Sequence, residues 1–159
     1  MADARPDANP SDTDLASFCT GSLARLATNG NSTAPAIHPT TLAMDCCEGF
    51  ELEIITATFL YAIYVRWIVP ASAGGFPLDV DLSAPTRLRS FHVLTNCDST
   101  RASCSDVYQS NFVGRLQVSY GDGGYGYDAS LCVHVEEPAD SPHPYLHTFD
   151  LYVPHIGFR

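Results

Sequence analysis

The sequence predicts an all-β fold: an antiparallel β-sandwich of two sheets, immunoglobulin-like or jelly-roll-like, braced by disulfides and carrying at most one short N-terminal helix. Three observations support this prediction. Strand-like segments recur roughly every 10 to 15 residues, the segments between them are rich in glycine and proline, and no stretch has the period and length of a long helix. Six cysteines are available for the braces.

The clearest strand pattern runs from Phe112 to Val153. From Arg115 to Tyr120 every second residue is apolar, so the apolar side chains share one face of a strand. A glycine-rich turn follows, and the same alternation resumes from Tyr127 to Val135. The two segments therefore predict a hairpin with one face on the core.

A third strand of the same meander is predicted at Phe149 to Val153, where apolar residues again alternate. Proline has no N–H to donate to a neighbouring strand, so Pro154 is expected to end it. In a self-assembling protein an edge strand would be left open to pair with another copy, and Tyr145 to Val153 is the candidate for that edge.

Further strands are predicted upstream of the meander. Leu60 to Val69 is apolar on both faces apart from Arg66, which predicts a central strand covered on both sides and ended by Pro70. Other strands are expected at Phe50 to Ile54, Leu78 to Leu82 and Leu88 to Leu94, with a loop at Asn29 to Pro39. Leu15 to Leu26 fits either a short helix or an edge strand.

The length of 159 residues indicates one domain, expected to span residues 15–159. Residues 1–14 lack large apolar side chains after Met1 and predict a hydrophilic tether. We expect that a secretion signal was removed, or replaced by Met1, ahead of this tether. The general character is that of small exported bacterial β-proteins, including lipid-anchored ones.

The chain is acidic, with 18 Asp and Glu residues against 8 basic ones, a net charge of −10, and no lysine. Nucleic acid is therefore not an expected partner, because phosphate binding needs clustered positive charge. The lack of lysine excludes Schiff-base chemistry and a P-loop. No apolar run approaches the roughly 18 residues of a membrane span, so no transmembrane segment is predicted.

The six cysteines form no CxxC pair, the spacing typical of structural zinc sites, so they predict disulfides and an oxidising compartment. Cys97 and Cys104 would close the shortest plausible loop, of eight residues, and are predicted to be bonded to each other.

Cys46 and Cys47 are neighbours, and in an extended strand their side chains point to opposite faces. A bond between them is therefore not expected. Each is predicted to pair with one of the two other cysteines, Cys19 and Cys132, in either of the two possible arrangements.

Histidines invite a zinc or copper interpretation, which the sequence does not favour. His143 and His147 would lie too far apart in an extended chain to share one ion. Cys132 and His134 share a strand face, but Cys132 is better explained as half of a disulfide.

No cofactor is predicted, although calcium is an alternative. Residues 123–128 match the first six positions of the GGxGxD calcium repeat, but only one copy is present, and a β-roll needs several. A calcium ion held by Asp122 and Asp128, with Asp79 or Asp81, stays open as a hypothesis.

Catalytic motifs are weak. The sequence contains no GxSxG elbow. Glu51 and Glu53 alternate with apolar residues and mark a solvated strand face, while Glu136 and Glu137 lead into a turn, so a glycosidase pair is not predicted.

The best recognition candidates lie at the tip of the predicted hairpin: Asp122, Tyr125, Tyr127 and Asp128. Tyrosine beside aspartate offers a ring to stack on and polar edges to hydrogen-bond, the chemistry of carbohydrate and protein surfaces.

The sequence therefore predicts a secreted, periplasmic or cell-surface-anchored binding or structural module without catalysis. Its partner would be a protein or carbohydrate surface. Two alternatives are a small-ligand or metal-dependent secreted protein, hydrolases included, and a self-assembling extracellular subunit that forms homo-oligomers.

Overall fold

A computed structural model describes residues 12–28, 39–46, 49–57, 62–70, 77–84, 87–98, 103–108, 111–124, 126–136 and 148–158. They form one short α-helix, α1 (Asp12–Phe18), and a 3-10 helix at Asp122–Gly124. The strands are β1 (Arg25–Thr28), β2 (Thr40–Cys46), β3 (Gly49–Ala57), β4 (Ala62–Pro70), β5 (Leu78–Asp81), β6 (Ser90–Cys97), β7 (Cys104–Tyr108), β8 (Val113–Tyr120), β9 (Tyr127–Val135) and β10 (Phe149–Phe158).

The strands form two antiparallel sheets of five. Sheet A has the order β1-β10-β9-β8-β5, and sheet B has the order β2-β3-β4-β6-β7. The predicted disulfide-braced, all-β sandwich is confirmed, and the meander at residues 112–153 is β8, β9 and β10.

The core lies between the sheets and contains residues of β1 and of every strand from β4 to β10. In β8 and β9 the buried residues follow the period of two, with Leu116 and Leu131 at most 1% exposed. Aromatic rings join the two sheets: Phe91 of β6 meets Phe112 edge to face at 4.9 Å, and Tyr108 of β7 meets Phe149 of β10 at 5.8 Å. These contacts bury large apolar surfaces, the main source of stability.

Strand β4 is central in sheet B, as predicted, and Pro70 is its last residue. The expectation of cover on both sides is wrong. Val65 and Trp67 are fully buried, but the alternating Tyr64 and Arg66 are only half-buried. A two-sheet sandwich covers each sheet on one face, so the outward side chains of β4 lie at a partly exposed surface.

Strand β10 does not end at Pro154, contrary to the prediction. Val153 pairs with Leu131 and Ile156 pairs with Ala129, so Pro154 and His155 together oppose Ser130. This is a β-bulge, a position where the ladder tolerates a residue without an N–H. The strand resumes beyond it.

The predicted open edge at Tyr145 to Val153 is also wrong over the part that lies in β10, residues 149–153. Strand β10 is hydrogen-bonded to β9 on one side and to β1 on the other. The N-terminal strand covers the edge that the meander alone would leave open. Among the described strands, the edges are β1 and β5 in sheet A and β2 and β7 in sheet B.

The ambiguous stretch Leu15 to Leu26 contains both predicted forms, since α1 is followed by the edge strand β1. The helix begins at Asp12, inside the predicted tether, whose residues 1–11 lie outside the described residues. Arg25 fixes the connection: its guanidinium donates to the carbonyls of Phe18 and Thr20 and lies 5.0 Å from the Phe18 ring.

The disulfides confirm one prediction and correct another. Cys97 and Cys104 are bonded as predicted, and they face each other across β6 and β7. Cys19 is bonded to Cys132, at a sequence separation of 113, so the expectation that these two pair with Cys46 and Cys47 is wrong.

The reason for the correction is the face on which Cys132 lies. Its neighbours Leu131 and Val133 point into the core, so Cys132 points out of sheet A, away from sheet B, which contains β2 and Cys46. The segment after α1 crosses this outer face and brings Cys19 to it. The side chain of Cys46 and all of Cys47 lie outside the described residues.

Gly114 allows β8 and β9 to approach closely. Its φ is 140°, and a Cβ there would lie 2.0 Å from the carbonyl oxygen of Cys132. Its own carbonyl accepts a hydrogen bond from the Leu82 N–H at 2.9 Å. Any side chain would force the two strands apart.

The long-range disulfide should contribute more stability than the short one. Replacing Cys19 and Cys132 by serine is expected to lower the free energy of unfolding by about 5 kcal/mol, against about 2.5 kcal/mol for Cys97 and Cys104, because loop-closure entropy grows with loop length. Guanidinium unfolding followed by the fluorescence of the buried Trp67 measures both. Equal losses would contradict this account.

Substitution at Gly114 should be far more costly than at another strand glycine of the same sheet. Gly114→Ala is expected to lower the free energy of unfolding by about 3 kcal/mol or more, since it adds a backbone clash to a strained φ. Gly157→Ala is the matched control, because a Cβ at Gly157 meets nothing within 4 Å. Thermal unfolding by circular dichroism compares them, and similar midpoints would refute the proposed clash.

Candidate functional site

The outer face of sheet A, opposite the core, carries polar side chains in register. Strand pairing aligns Asp79 of β5 with Gln117 of β8, and Gln117 with Ser130 of β9. Gln117 Nε2 donates to Asp79 Oδ2 at 3.3 Å, and Ser130 Oγ donates to Gln117 Oε1 at 3.3 Å. We call Asp79, Gln117 and Ser130 the polar row.

Arg115 extends this row along β8. Its Nε donates to Asp79 Oδ1 at 2.5 Å, so both carboxylate oxygens of Asp79 are engaged. This hydrogen bond is the main reason why the pKa of Asp79 lies below its ordinary value of 3.8, and Gln117 lowers the pKa further. The pKa of Asp81 is lowered too, by hydrogen bonds from the Ser83 hydroxyl and N–H.

The β-bulge of β10 brings a histidine to the other end of the row. His155 is 76% exposed, and its Nδ1 lies 2.9 Å from Asp128 Oδ1. This is an ion-pair distance without the alignment of a hydrogen bond, and Asp128 Oδ1 is a buried oxygen with no hydrogen-bond partner among the described residues. Asp128 Oδ1 is therefore enclosed, with His155 Nδ1 as a close neighbour.

These groups surround a cavity of about 310 Å³, which we call the outer cleft. Its volume is at the lower end of the range typical of small-molecule sites. The lining residues are Pro77, Leu78, Asp79, Gln117, Val118, Ser119, Asp128, Ala129, Ser130, Pro154 and His155.

A second cavity, of about 600 Å³, lies on the same side of sheet A, beside α1, and we call it the α1 cavity. The bond from Cys19 to Cys132 fastens the segment that follows α1 to this face. The lining residues are Leu15, Ala16, Asp81, Ser83, Val113, Gly114, Arg115 and Cys132.

The four recognition candidates from the sequence do not converge. Asp128 lines the outer cleft, whereas Asp122 is exposed in the 3-10 helix. Tyr127 is half-buried against the core and stacks on Tyr120 at 6.1 Å. Tyr125 lies outside the described residues.

The tyrosine pair and the cleft lie on opposite faces of the hairpin. Tyr120 was expected on the core face, and it has that orientation, but at the end of the sandwich it is 58% exposed. Asp79, considered above as a partner of Asp128 for calcium, does line the same cleft as Asp128.

Ser130, Asp128 and His155 share the cleft, which raises the question of nucleophilic catalysis. An activated serine needs its hydroxyl hydrogen-bonded to the base. The Ser130 hydroxyl instead donates to Gln117, and His155 is largely in solvent. The arrangement therefore offers hydrogen-bonding groups and not an activated nucleophile.

His134, two residues after Cys132, is a buried residue that pairs with a carboxylate. Cys132 is in a disulfide, and the neighbouring outward residue His134 is 6% exposed. Its Nδ1 lies 2.6 Å from Asp150 Oδ1, and its Nε2 lies 3.5 Å from Glu136. No group of three or more His, Cys, Asp or Glu residues in the described part of the chain is placed to hold a metal ion. His143 and His147 lie outside that part.

Sequence reasoning missed Gln117, Ser130 and His155 as site residues. The alternation of Arg115, Gln117 and Ser119 shows which side chains point outward, but only the register shows that Gln117 meets both Asp79 and Ser130. Because the sequence predicts that the strand ends at Pro154, it gives no reason to place His155 at the site.

No protein-family model, curated protein or solved structure matches this chain. Among the residues that the structure describes, no helix has the length and apolar character required to cross a membrane.

The Arg115 hydrogen bond should control the titration of Asp79. Arg115→Gln is expected to raise the pKa of Asp79 towards 3.8, as measured by NMR titration of the carboxyl carbon. Arg87→Gln is the matched control, because Arg87 contributes only the weakest of the interactions that lower this pKa. A larger shift in the control would contradict the assignment.

The lowered pKa of Asp79 makes the stability of the fold depend on pH. The folded-state pKa of Asp79 is depressed, so the ion pair stabilises the fold above pH 3.8. That contribution is lost as the pH falls through the lower folded-state value, and Arg115→Gln should reduce this pH dependence, because the hydrogen bond from Gln117 stays.

Proposed function

We propose that the protein is an exported binding module whose outer cleft recognises a hydroxyl-rich ligand, a carbohydrate at a cell surface or in the extracellular medium. The observation that carries this proposal is the polar row, with Arg115 at one end and the pair of Asp128 and His155 at the other. Planar carboxylate and amide groups suit the paired hydroxyls of a sugar ring.

The polar row supports recognition because its members are already held in place. Gln117 is fixed between Asp79 and Ser130, so little side-chain freedom is lost when a ligand binds. The groups project from strands of a sheet, which position side chains more firmly than loops do.

Export is supported by the disulfides. Bonds such as Cys19–Cys132 and Cys97–Cys104 persist in oxidising compartments and are rare in the cytosol. The proposal therefore places the module outside the cytoplasm, as a secreted, periplasmic or surface-anchored protein.

Affinity electrophoresis tests the proposal, with native gels that contain laminarin, xylan, galactomannan, hydroxyethyl cellulose or glycol chitosan. We expect at least one of these polysaccharides to retard the protein. Gln117→Leu should weaken that binding by about tenfold, because it removes the centre of the hydrogen-bonded row.

A pair of serine variants provides the matched control. Ser130→Ala should weaken binding by roughly threefold or more. Ser105→Ala should not, because Ser105 is an exposed residue of β7 in the other sheet. Unretarded migration in all five gels, or equal effects of the two serine variants, would refute the proposed site.

A further inference from the structure

The outer cleft and the α1 cavity lie on adjoining rows of the same sheet face. In β5, Asp79 lines the cleft and Asp81 lines the α1 cavity. In β8, Gln117 lines the cleft and Arg115 lines the α1 cavity. Residues two apart in a strand share a face, so the two linings are neighbouring rows of that face.

The strand β9 repeats the division, with Ser130 in the cleft and Cys132 in the α1 cavity. Along β8 the lining residues run from Val113 to Ser119, which corresponds to a length of about 20 Å in an extended strand. This length is several times that of a single pyranose ring.

The boundary between the two cavities is the hydrogen bond from Arg115 to Asp79. Both side chains are open to solvent, at 65% and 43% exposure. They therefore form a floor across which a ligand can pass.

On this basis, and resting on the carbohydrate-binding function proposed above, we propose that the two cavities form one groove for a linear, uncharged or amine-bearing oligosaccharide. Its chain lies along β8, with one part over the polar row and another beside α1.

Charge selects the class of sugar. Among the described residues that line the groove, three are carboxylates, Asp79, Asp81 and Asp128, and one is a guanidinium, Arg115. The chain as a whole carries a net charge of −10. Uronate-rich or sulfated glycans would be repelled, whereas neutral and amino sugars would not.

The position of the groove favours a sugar over an extended peptide. A peptide usually adds to a sheet at an edge strand, where backbone N–H and C=O groups are open. The groove instead crosses the face of sheet A, where the backbones of β8 and β9 are already hydrogen-bonded to each other. What it offers is carboxylate, amide, hydroxyl, imidazole and guanidinium side chains.

Isothermal titration calorimetry with cello-, xylo- and chito-oligosaccharides, from disaccharide to hexasaccharide, tests the proposal. In at least one series we expect the affinity to rise by about tenfold or more with chain length, since longer chains reach the second cavity. Ala16→Trp, which fills the α1 cavity, should abolish this gain with chain length. Ser105→Trp, on the other sheet, should leave both disaccharide binding and the gain intact.

The outcomes separate the two proposals. Binding that does not strengthen with chain length, or a gain that survives Ala16→Trp, overturns the single groove and leaves the carbohydrate-binding cleft in place. If no oligosaccharide of these series binds, the single groove fails, and the five polysaccharide gels decide separately whether the carbohydrate-binding cleft stands. A polyarginine peptide is titrated in parallel, and binding of this peptide without any oligosaccharide would also overturn the single groove.

Discussion

The register between β8 and β9 is the constraint on which the rest of sheet A depends. Side chains alternate between the faces, so a slip of one residue would exchange the core and the surface of both strands. The observed register places Leu116 opposite Leu131 inside and Gln117 opposite Ser130 outside. Gly114 holds this register in place, because only a residue without Cβ fits against the carbonyl of Cys132. The pairing of β8 with β9 therefore determines both the core and the candidate site, which lie on its opposite faces.

The N-terminal segment forms one wall of the α1 cavity on the outer face of sheet A. The disulfide from Cys19 to Cys132, the contacts of Arg25 with Phe18, and the hydrogen bond from the Tyr152 hydroxyl to the Gly21 carbonyl hold this segment against sheet A. An exposed sheet face offers little enclosure by itself, whereas a helix beside it creates a concave wall. The same disulfide that links distant parts of the chain therefore also shapes the α1 cavity.

The strands could be predicted from the sequence because their signal is local: the alternation in β5, β8 and β9 needs only neighbouring residues. The wrong predictions concern features that depend on residues far away in the sequence. The partner of Cys132 depends on which face of the sheet it occupies and on what crosses that face. The tolerance of Pro154 depends on a bulge opposite Ser130, which no local rule reveals. The candidate site shares this limit, since the polar row joins side chains from three strands.

The polar row contributes little to the stability of the fold, and this is the strongest reason to assign it another role. Exposed ion pairs such as Arg115 with Asp79 are screened by water and typically add less than about 1 kcal/mol. The buried core and the disulfides supply the stability without them. His134 lies on the same face but differs from the polar row, because it is buried and paired with Asp150, as a structural residue would be. The polar row is thus open to solvent and contributes little to folding, which leaves its groups available for the ligand binding proposed above.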